Sequence, residues 1–344
     1  MRSAVLASFC FCLFLVVGCA PQPETFANKF SGATMGTSYH ITLVTDEALA
    51  GSDIAEVQKA IDERLAAVNQ SMSTYIADSE INQLHSTALN EWHPISSELG
   101  RVLAISESVS KLSGGAFDIT VRPLIDMWGF GPKPALDQVP PQAEIDTALA
   151  NVGYQYLHLR QEPWQLLRDR DVDMDLSAVA KGYGVDVVTE LLLAKGYANH
   201  MVEIGGELRL AGLSPRGEPW RIAVEKPQAG LMQSVYRAVS LTDTGMATSG
   251  DYRNYFEQDG VRYSHTIDPR SGQPIRHGLA SVTVLHPSAA YADALATAFN
   301  VMGEEQALLL ANSEGIAALF IIRDGDEFVE MASEAFQPYL EQRE

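Results

Sequence analysis

The stretch DLSAVAKGYGVD, residues 175–186, decides how the chain is read. A carboxylate, Asp175, precedes the small run Ser177-Ala178-Val179-Ala180, then Lys181, then glycines at 182 and 184. Just upstream, VDMDL (172–176) alternates, which predicts a strand with Asp173 and Asp175 on one side and Val172, Met174 and Leu176 on the other. Downstream, AVAKGYGVDVVTELLLAKG predicts a helix ending at Gly196, with Ser177 as its N-cap. Free N–H groups at such a helix start favour phosphate, and Lys181 adds a positive charge on the first turn. A solvated strand end leading into a helix with a surface lysine fits the same residues. Gly182 and Gly184 fall inside the helix, too late to cradle phosphate, and read as points of close packing.

Outward from this segment, strand-like and helix-like stretches alternate, which predicts a mixed α/β body without internal repeats. MGTSYHITLV (35–44) reads as the first strand. Residues 53–73 read as a helix with Ile54, Val57, Ile61, Leu65 and Val68 on one stripe, and a second helix runs from Ser96 or Ser97 to about Gly114. RPLIDMWGFGPKPALDQVPP (122–141) is rich in Pro and Gly and reads as an ordered surface loop or lid. The longest β-rich region spans HMVEIGGELRLAG, PWRIAVEKP, VYRAVSLTD and VRYSHTID; ASVTVLHP, two helices and a hairpin around DGD complete the chain.

Of 344 residues, 46% are apolar, enough for a packed core, and the formal net charge is −20. Such an acidic chain without a Lys/Arg cluster has no footprint for nucleic acid. An anionic substrate therefore needs local help from a metal ion or helix N-termini. At the N-terminus, Arg2 precedes the apolar run VLASFCFCLFLVV and then VVGCA (16–20), a pattern that reads as a lipoprotein signal (1–18) cleaved before Cys19. Cys19 would carry the lipid, residues 19–30 would form a tether, and 31–344 a single domain. An ordinary signal peptide fits the same residues. With Cys10 and Cys12 removed and Cys19 acylated, a thiol nucleophile, a cysteine zinc site and thiol redox chemistry are all excluded.

Two further constellations carry chemistry. In AYADALATAFNVMG, Asp293 and Thr297 lie four residues apart on one helical face, a plausible pair of oxygen ligands for Mg²⁺. Spacing alone favours the simpler reading, a first-turn carboxylate offsetting the helix dipole with Thr297 merely packing. SHTIDPRSGQP (264–274) brings His265, which could act as a general base, the usual role of histidine in catalysis near neutral pH; a structural histidine in a strand fits as well. No Walker-type loop or Ser/His/Asp order is present, and EIGGE is too short for a dinucleotide fingerprint.

Taken together, the phrases MGTSYHITL, MSTYIADSEINQLH, GGAFDITVRPL, DLSAVAKGYGVDVV, MVEIGGELRLAG, ATSGDYRNYF, HTIDPRSGQP and VTVLHPSAAYADALATAFNVMG resemble, in order, the ApbE family of periplasmic FAD:protein FMN transferases. The resemblance implies a T-fold-related body of mainly antiparallel sheet packed with helices. It implies FAD binding by Met35, Tyr75, Ala116, Phe117, Asp118, Asp175, Lys181 and Ile267, and a Mg²⁺ site from the Ala178 backbone oxygen, Asp293 and Thr297. His265 becomes the candidate for proton abstraction. The implied reaction moves FMN from FAD to a threonine hydroxyl of an acceptor protein and releases AMP. Implied acceptors are exported subunits of NADH:quinone reductase or Rnf-type complexes. FAD pyrophosphatase activity, with water replacing threonine, needs the same residues; a lipid-anchored flavin-binding protein without turnover would not need Asp293, Thr297 or His265. Two departures stand out: Ser177 and Ala178 replace a glycine pair of many relatives, and Ala296 stands where some carry a second aspartate, which favours a single Mg²⁺. Ala20 after the lipidated cysteine favours an outer-membrane anchor facing the periplasm.

Overall fold

The computed structural model describes residues 25–131, 138–227, 234–250, 255–325 and 327–340. Its centre is one eight-stranded antiparallel sheet whose strands lie side by side in chain order. They are β1 (Phe26–Thr34), β2 (Thr37–Thr45), β3 (Asn199–Ile204), β4 (Glu207–Ala211), β5 (Gly245–Gly250), β6 (Leu279–His286), β7 (Ala317–Asp324) and β8 (Glu327–Ala332). Long insertions interrupt this meander. Helices α1 (Gly51–Met72), α2 (Ser97–Leu112) and α3 (Ser177–Ala194) all fall between β2 and β3; α4 (Ala289–Met302) and α5 (Glu304–Glu314) fall between β6 and β7.

Alternation along the strands sorts side chains onto two faces. On one, Ala247, Val282, Val284, Ala318 and Phe320 pack with residues of α2, α3 and α4. On the other, Leu208, Leu210, Met246, Leu285, Leu319 and Ile321 meet Trp220, Ile222, Val224, Val239 and Leu241 of a separate hairpin, together with Phe336. Covered on both sides, β6 is buried along nearly its whole length. The stripe predicted for α1 is buried at Val57, Ile61, Leu65 and Val68, while Ile54 in the first turn stays exposed.

Several expectations change. The tether assigned to 19–30 ends earlier, because Phe26 already pairs with Thr45 and residues 26–30 belong to β1. The first predicted strand, 35–44, starts instead with a hairpin turn: Met35 and Gly36 have φ of 49° and 73°, and Thr34 pairs with Thr37. VDMDL keeps its alternation, with Val172, Met174 and Leu176 buried, but pairs with no strand. Ser177 is the first helical residue rather than the cap; Asp175 Oδ1 accepts from its N–H at 2.8 Å and does the capping instead. The supposed lid begins with a helical turn, Arg122–Met127, and Trp128 is buried with its Nε1 donating to Gly272 O at 2.8 Å, so this part is packed wall. Residues 132–137 of that loop, and the lipobox with Cys19, lie outside the described residues. Finally, VRYSHTID breaks into strands Val261–Ser264 and Ile267–Asp268. Between them Ser264 Oγ accepts from the Thr266 N–H at 3.1 Å, which turns the chain at His265.

Candidate active site

The site is built where α3 crosses α4. A Cβ on Gly182 would lie 2.3 Å from the Ala289 carbonyl oxygen, so only glycine allows the two helices to approach this closely. The contact has a polar partner: the Gly182 N–H donates to Asp293 Oδ2 at 3.0 Å. In a regular helix that N–H serves the carbonyl four residues back, here Ala178. One turn further along α3, Asp186 accepts from Ser288 Oγ (2.7 Å), Ala289 N (2.9 Å), Ala290 N (3.1 Å) and Arg209 Nη1 (2.8 Å). A carboxylate of α3 thus caps the start of α4. Held at these two points, α4 directs Asp293 and Thr297 into one cavity.

The second wall comes from a step in the sheet. β3 and β4 turn at Gly205-Gly206, with φ of 59° and 106°, whereas β5 continues past that turn through Thr248, Ser249 and Gly250. β4 and β5 pair only at Arg209↔Gly245 and Leu208↔Met246, so the ladder ends before Glu207. Above this step lies a cavity of about 440 Å³.

Ten of the residues singled out from the sequence line it: Ala116, Phe117, Asp118, Asp175, Ala178, Lys181, His265, Ile267, Asp293 and Thr297. They come from four separate parts of the chain. Met35 and Tyr75 do not line it. Met35 sits on the β1–β2 turn, its methyl against Gly184. Tyr75 is 75% exposed, because Asn82 Nδ2 holds the carbonyls of Thr74 and Ile76 on either side and leaves the ring in solvent. Asp118 has a structural duty as well: its carboxylate accepts from Thr120 N and Oγ1 and from Tyr154 N, at 2.7–2.8 Å. Burial raises its pKa, against the pull of those donors.

The electrostatics centre on Lys181. Its Nζ donates to Glu207 Oε1 at 2.5 Å. Burial alone would lower the lysine's pKa, but the charges of Asp293 and Glu207 outweigh it and raise it, so Lys181 is a fixed cation. Burial also pushes Glu207 up to about 7, with Asp293 adding to the rise and Lys181 opposing it. Asp293, 5% exposed, is raised by burial against the pull of Lys181 and the Gly182 N–H. His265 sits edge-on to Phe130, ring centroids 6.3 Å apart, across the cavity wall formed with Thr266 and Ile267.

Sequence reasoning missed Glu207 and Asp186; the β5 residues Thr248–Gly250 fall in ATSGDYRNYF, which it singled out without giving these three a role. The signal for Glu207 was legible. EIGGEL is a two-residue Gly-Gly hairpin rather than a nucleotide fingerprint, and with Leu208 and Leu210 on one face, Glu207 and Arg209 must face the helices.

No group of three or more His, Cys, Asp or Glu side chains capable of holding a metal occurs among the described residues. The donors that do converge are a carboxylate, a hydroxyl one helical turn away and a helix-start carbonyl. That all-oxygen set suits a hard cation such as Mg²⁺, which takes one or two carboxylates and completes its shell with phosphate and water.

A cavity that joins a fixed lysine, a buried carboxylate and a helix start defines a class of protein that handles phosphorylated small molecules. The comparisons give the class its family. The ApbE family model matches residues 35–320. The FAD:protein FMN transferase of Vibrio cholerae serotype O1 is 44% identical over 329 residues, covering 95% of this chain and 96% of that one. That of Haemophilus influenzae is 40% identical over 94% and 95%. Among solved structures, the flavin transferase ApbE from Vibrio cholerae superposes with a TM-score of 0.84 at 41% identity, over 92% of this chain and 99% of that chain. The apo flavinyl transferase ApbE of Pseudomonas stutzeri gives 0.82 at 38%, over 92% and 97%. This chain belongs to the ApbE family.

Proposed function

We propose that the protein is a Mg²⁺-dependent FAD:protein FMN transferase that esterifies a threonine of an exported acceptor protein. The observation that carries this reading is the convergence of Lys181, Asp293, Thr297 and His265 on one cavity from segments up to more than a hundred residues apart. Charge supports the need for a metal. Asp118, Asp175, Glu207 and Asp293 line the cavity against Lys181, and a pyrophosphate brings two more negative charges. A divalent cation held by Asp293, Thr297 and the Ala178 carbonyl would offset that excess and polarise the phosphoryl oxygens.

In the reaction, the threonine Oγ forms a bond to the FMN-side phosphorus and the bond from that phosphorus to the bridging oxygen breaks. AMP departs with the bridging oxygen. His265 takes the threonine proton, which a neutral imidazole can do near pH 7. Lys181, pinned by Glu207, holds the phosphate from the other side as a point charge. Gly182 and Asp186 do no chemistry; they fix the azimuth of α4 so that Asp293 faces the cavity.

The same proposal makes the enzyme a lipoprotein anchored through Cys19 on the periplasmic face of a bacterial membrane, with subunits of NADH:quinone reductase or Rnf-type complexes as acceptors. VVGCA and the absence of other cysteines after it support this reading. Mass spectrometry of the membrane-extracted protein should find a diacylated N-terminal cysteine, and Cys19→Ala should release the protein from the membrane.

The deciding experiment incubates the soluble domain with FAD, Mg²⁺ and a threonine-bearing acceptor domain. Acceptor mass increased by FMN less one water, with one AMP released per modification, is expected. Free FMN and AMP with an unmodified acceptor would mean a pyrophosphatase; intact FAD after hours would mean a flavin carrier.

A further inference from the structure

We propose that Glu207 recognises a sugar hydroxyl of the bound dinucleotide, with one carboxylate oxygen fixing Lys181 and the other accepting the hydroxyl hydrogen. The inference rests on the flavin-transferase reading and adds to it a residue for substrate recognition. Glu207 is the first residue of β4, only 3% exposed, and lines the cavity. Its Oε1 is taken by Lys181 Nζ at 2.5 Å. Its Oε2 is buried and has no hydrogen-bond partner among the described residues. A buried carboxylate oxygen without a donor is costly, and such a group in a native fold calls for a missing partner.

The position of Glu207 narrows what that partner is. Lys181 lies one turn after Ala178 on α3 and close enough to Asp293 for their charges to interact, so Glu207 stands beside the pyrophosphate end of the site. When Glu207 is ionised, as its ion pair with Lys181 favours, Oε2 can only accept, and phosphate oxygens, acceptors themselves, are no partner for it. The donors that flank the pyrophosphate of FAD are hydroxyls, those of the ribityl chain on one side and of the adenosine ribose on the other. The flavin imide and the adenine amine lie at the far ends of the molecule. Gly205 leaves room for the Lys181 stem beside Glu207: a Cβ there would lie 3.3 Å from Lys181 Cδ and 2.8 Å from Thr37 Cγ2.

The test measures binding of FMN, which carries the ribityl chain, and of ADP, which carries the ribose, to the wild-type protein and to Glu207→Gln in the presence of Mg²⁺ without acceptor. Glu207→Gln keeps the shape and an acceptor for Lys181 but loses the charge assistance. Weakening of about tenfold is expected for one ligand and less than twofold for the other. FMN as the affected ligand assigns the ribityl chain, ADP the ribose. Equal weakening of both, or less than twofold change in both, would overturn the proposal, since loss of lysine positioning alone would act on phosphate in either ligand. Should Glu207→Gln melt early, the wild-type protein answers by itself: the corresponding deoxy ligand, 2′-deoxy-ADP or a ribityl-deoxy FMN, should bind about tenfold more weakly than its parent, and equal binding of both pairs refutes the contact. Wild-type protein that bound neither FMN nor ADP would refute the flavin reading itself.

Discussion

Replacing Gly182 by alanine should separate α3 from α4 and disable the proposed Mg²⁺ site from a position with no side chain of its own. A Cβ at 182 would stand 2.3 Å from Ala289 O, 2.6 Å from Ala289 C and 2.8 Å from Ala290 Cα. All three are backbone atoms at the capped start of a helix, so no rotamer change relieves them. Opening the shortest contact to an ordinary 3.4 Å requires the helices to part by about 1 Å. Overpacking of this kind costs ~1–3 kcal/mol, and the roughly 1 kcal/mol that Gly→Ala gives to helix propensity offsets only part of it. The same displacement stretches the 3.0 Å bond from Gly182 N to Asp293 Oδ2 beyond hydrogen-bonding range. Gly184→Ala is the matched comparison: its Cβ would meet Met35 Cε at 2.8 Å and Ile204 Cδ1 at 3.1 Å, both ends of side chains that can turn away. Urea unfolding should therefore show Gly182→Ala less stable than Gly184→Ala, and Mg²⁺ titration of AMP release should show a higher requirement in Gly182→Ala. If Gly182→Ala unfolds at the wild-type midpoint with the wild-type Mg²⁺ dependence, the helix-crossing account of the site is wrong.

On the proposed function, Asp293→Ala should abolish Mg²⁺-dependent AMP release while FAD binding falls less, and a chelator should do the same to the wild-type protein; turnover unchanged in the variant would remove Asp293 from the proposed Mg²⁺ site. His265→Ala should lower the transfer rate by ~10²–10⁴ with FAD affinity kept, and a rate within threefold of wild type would exclude it as the base. Asp186→Ala strips the cap from α4 and leaves Arg209 without its partner, an expected loss of ~3–5 kcal/mol in urea unfolding. His200 is fully buried, and burial lowers its pKa to about 4. Between about pH 6.5 and 4 the unfolded chain binds a proton there that the folded chain refuses, so this histidine's contribution is full above pH 6.5 and declines as pH falls. The stability difference between wild type and His200→Asn should shift against the wild type by up to ~3 kcal/mol over that window, and a pH-independent difference would mean that His200 is not held neutral.

Much of the architecture was legible because it rests on period. The α1 stripe, the caps of α2 and the existence of strand β6 follow from spacing within single segments. Where tertiary contact decided the outcome, spacing misled. Asp175 took over the capping expected of Ser177, since its side chain reaches the Ser177 N–H. The strand expected through VRYSHTID broke at His265 because its halves pair with different partners, 255–258 and 273–274. Met35 and Tyr75 were named only through resemblance, and nothing in their own neighbourhoods brings them to the cavity.

The step between β4 and β5 explains why the site forms where it does. A meander in chain order gives every strand a neighbour, so an antiparallel sheet of equal strands would offer no recess. Here the β3–β4 hairpin turns back at two glycines, while β5 and β6 run on together through Gly250↔Ser281. The exposed flank of β5 must be covered, and α3 and α4 cover it with Lys181, Asp293 and Thr297 rather than with leucines. Lengthening the hairpin would therefore remove the cavity without touching any residue that lines α4. Inserting two residue pairs so that β4 continues alongside Thr248 and Ser249 should leave a folded protein that binds neither FMN nor ADP, as seen by flavin fluorescence and calorimetry. Retained binding at wild-type affinity would show that the helices alone define the recess.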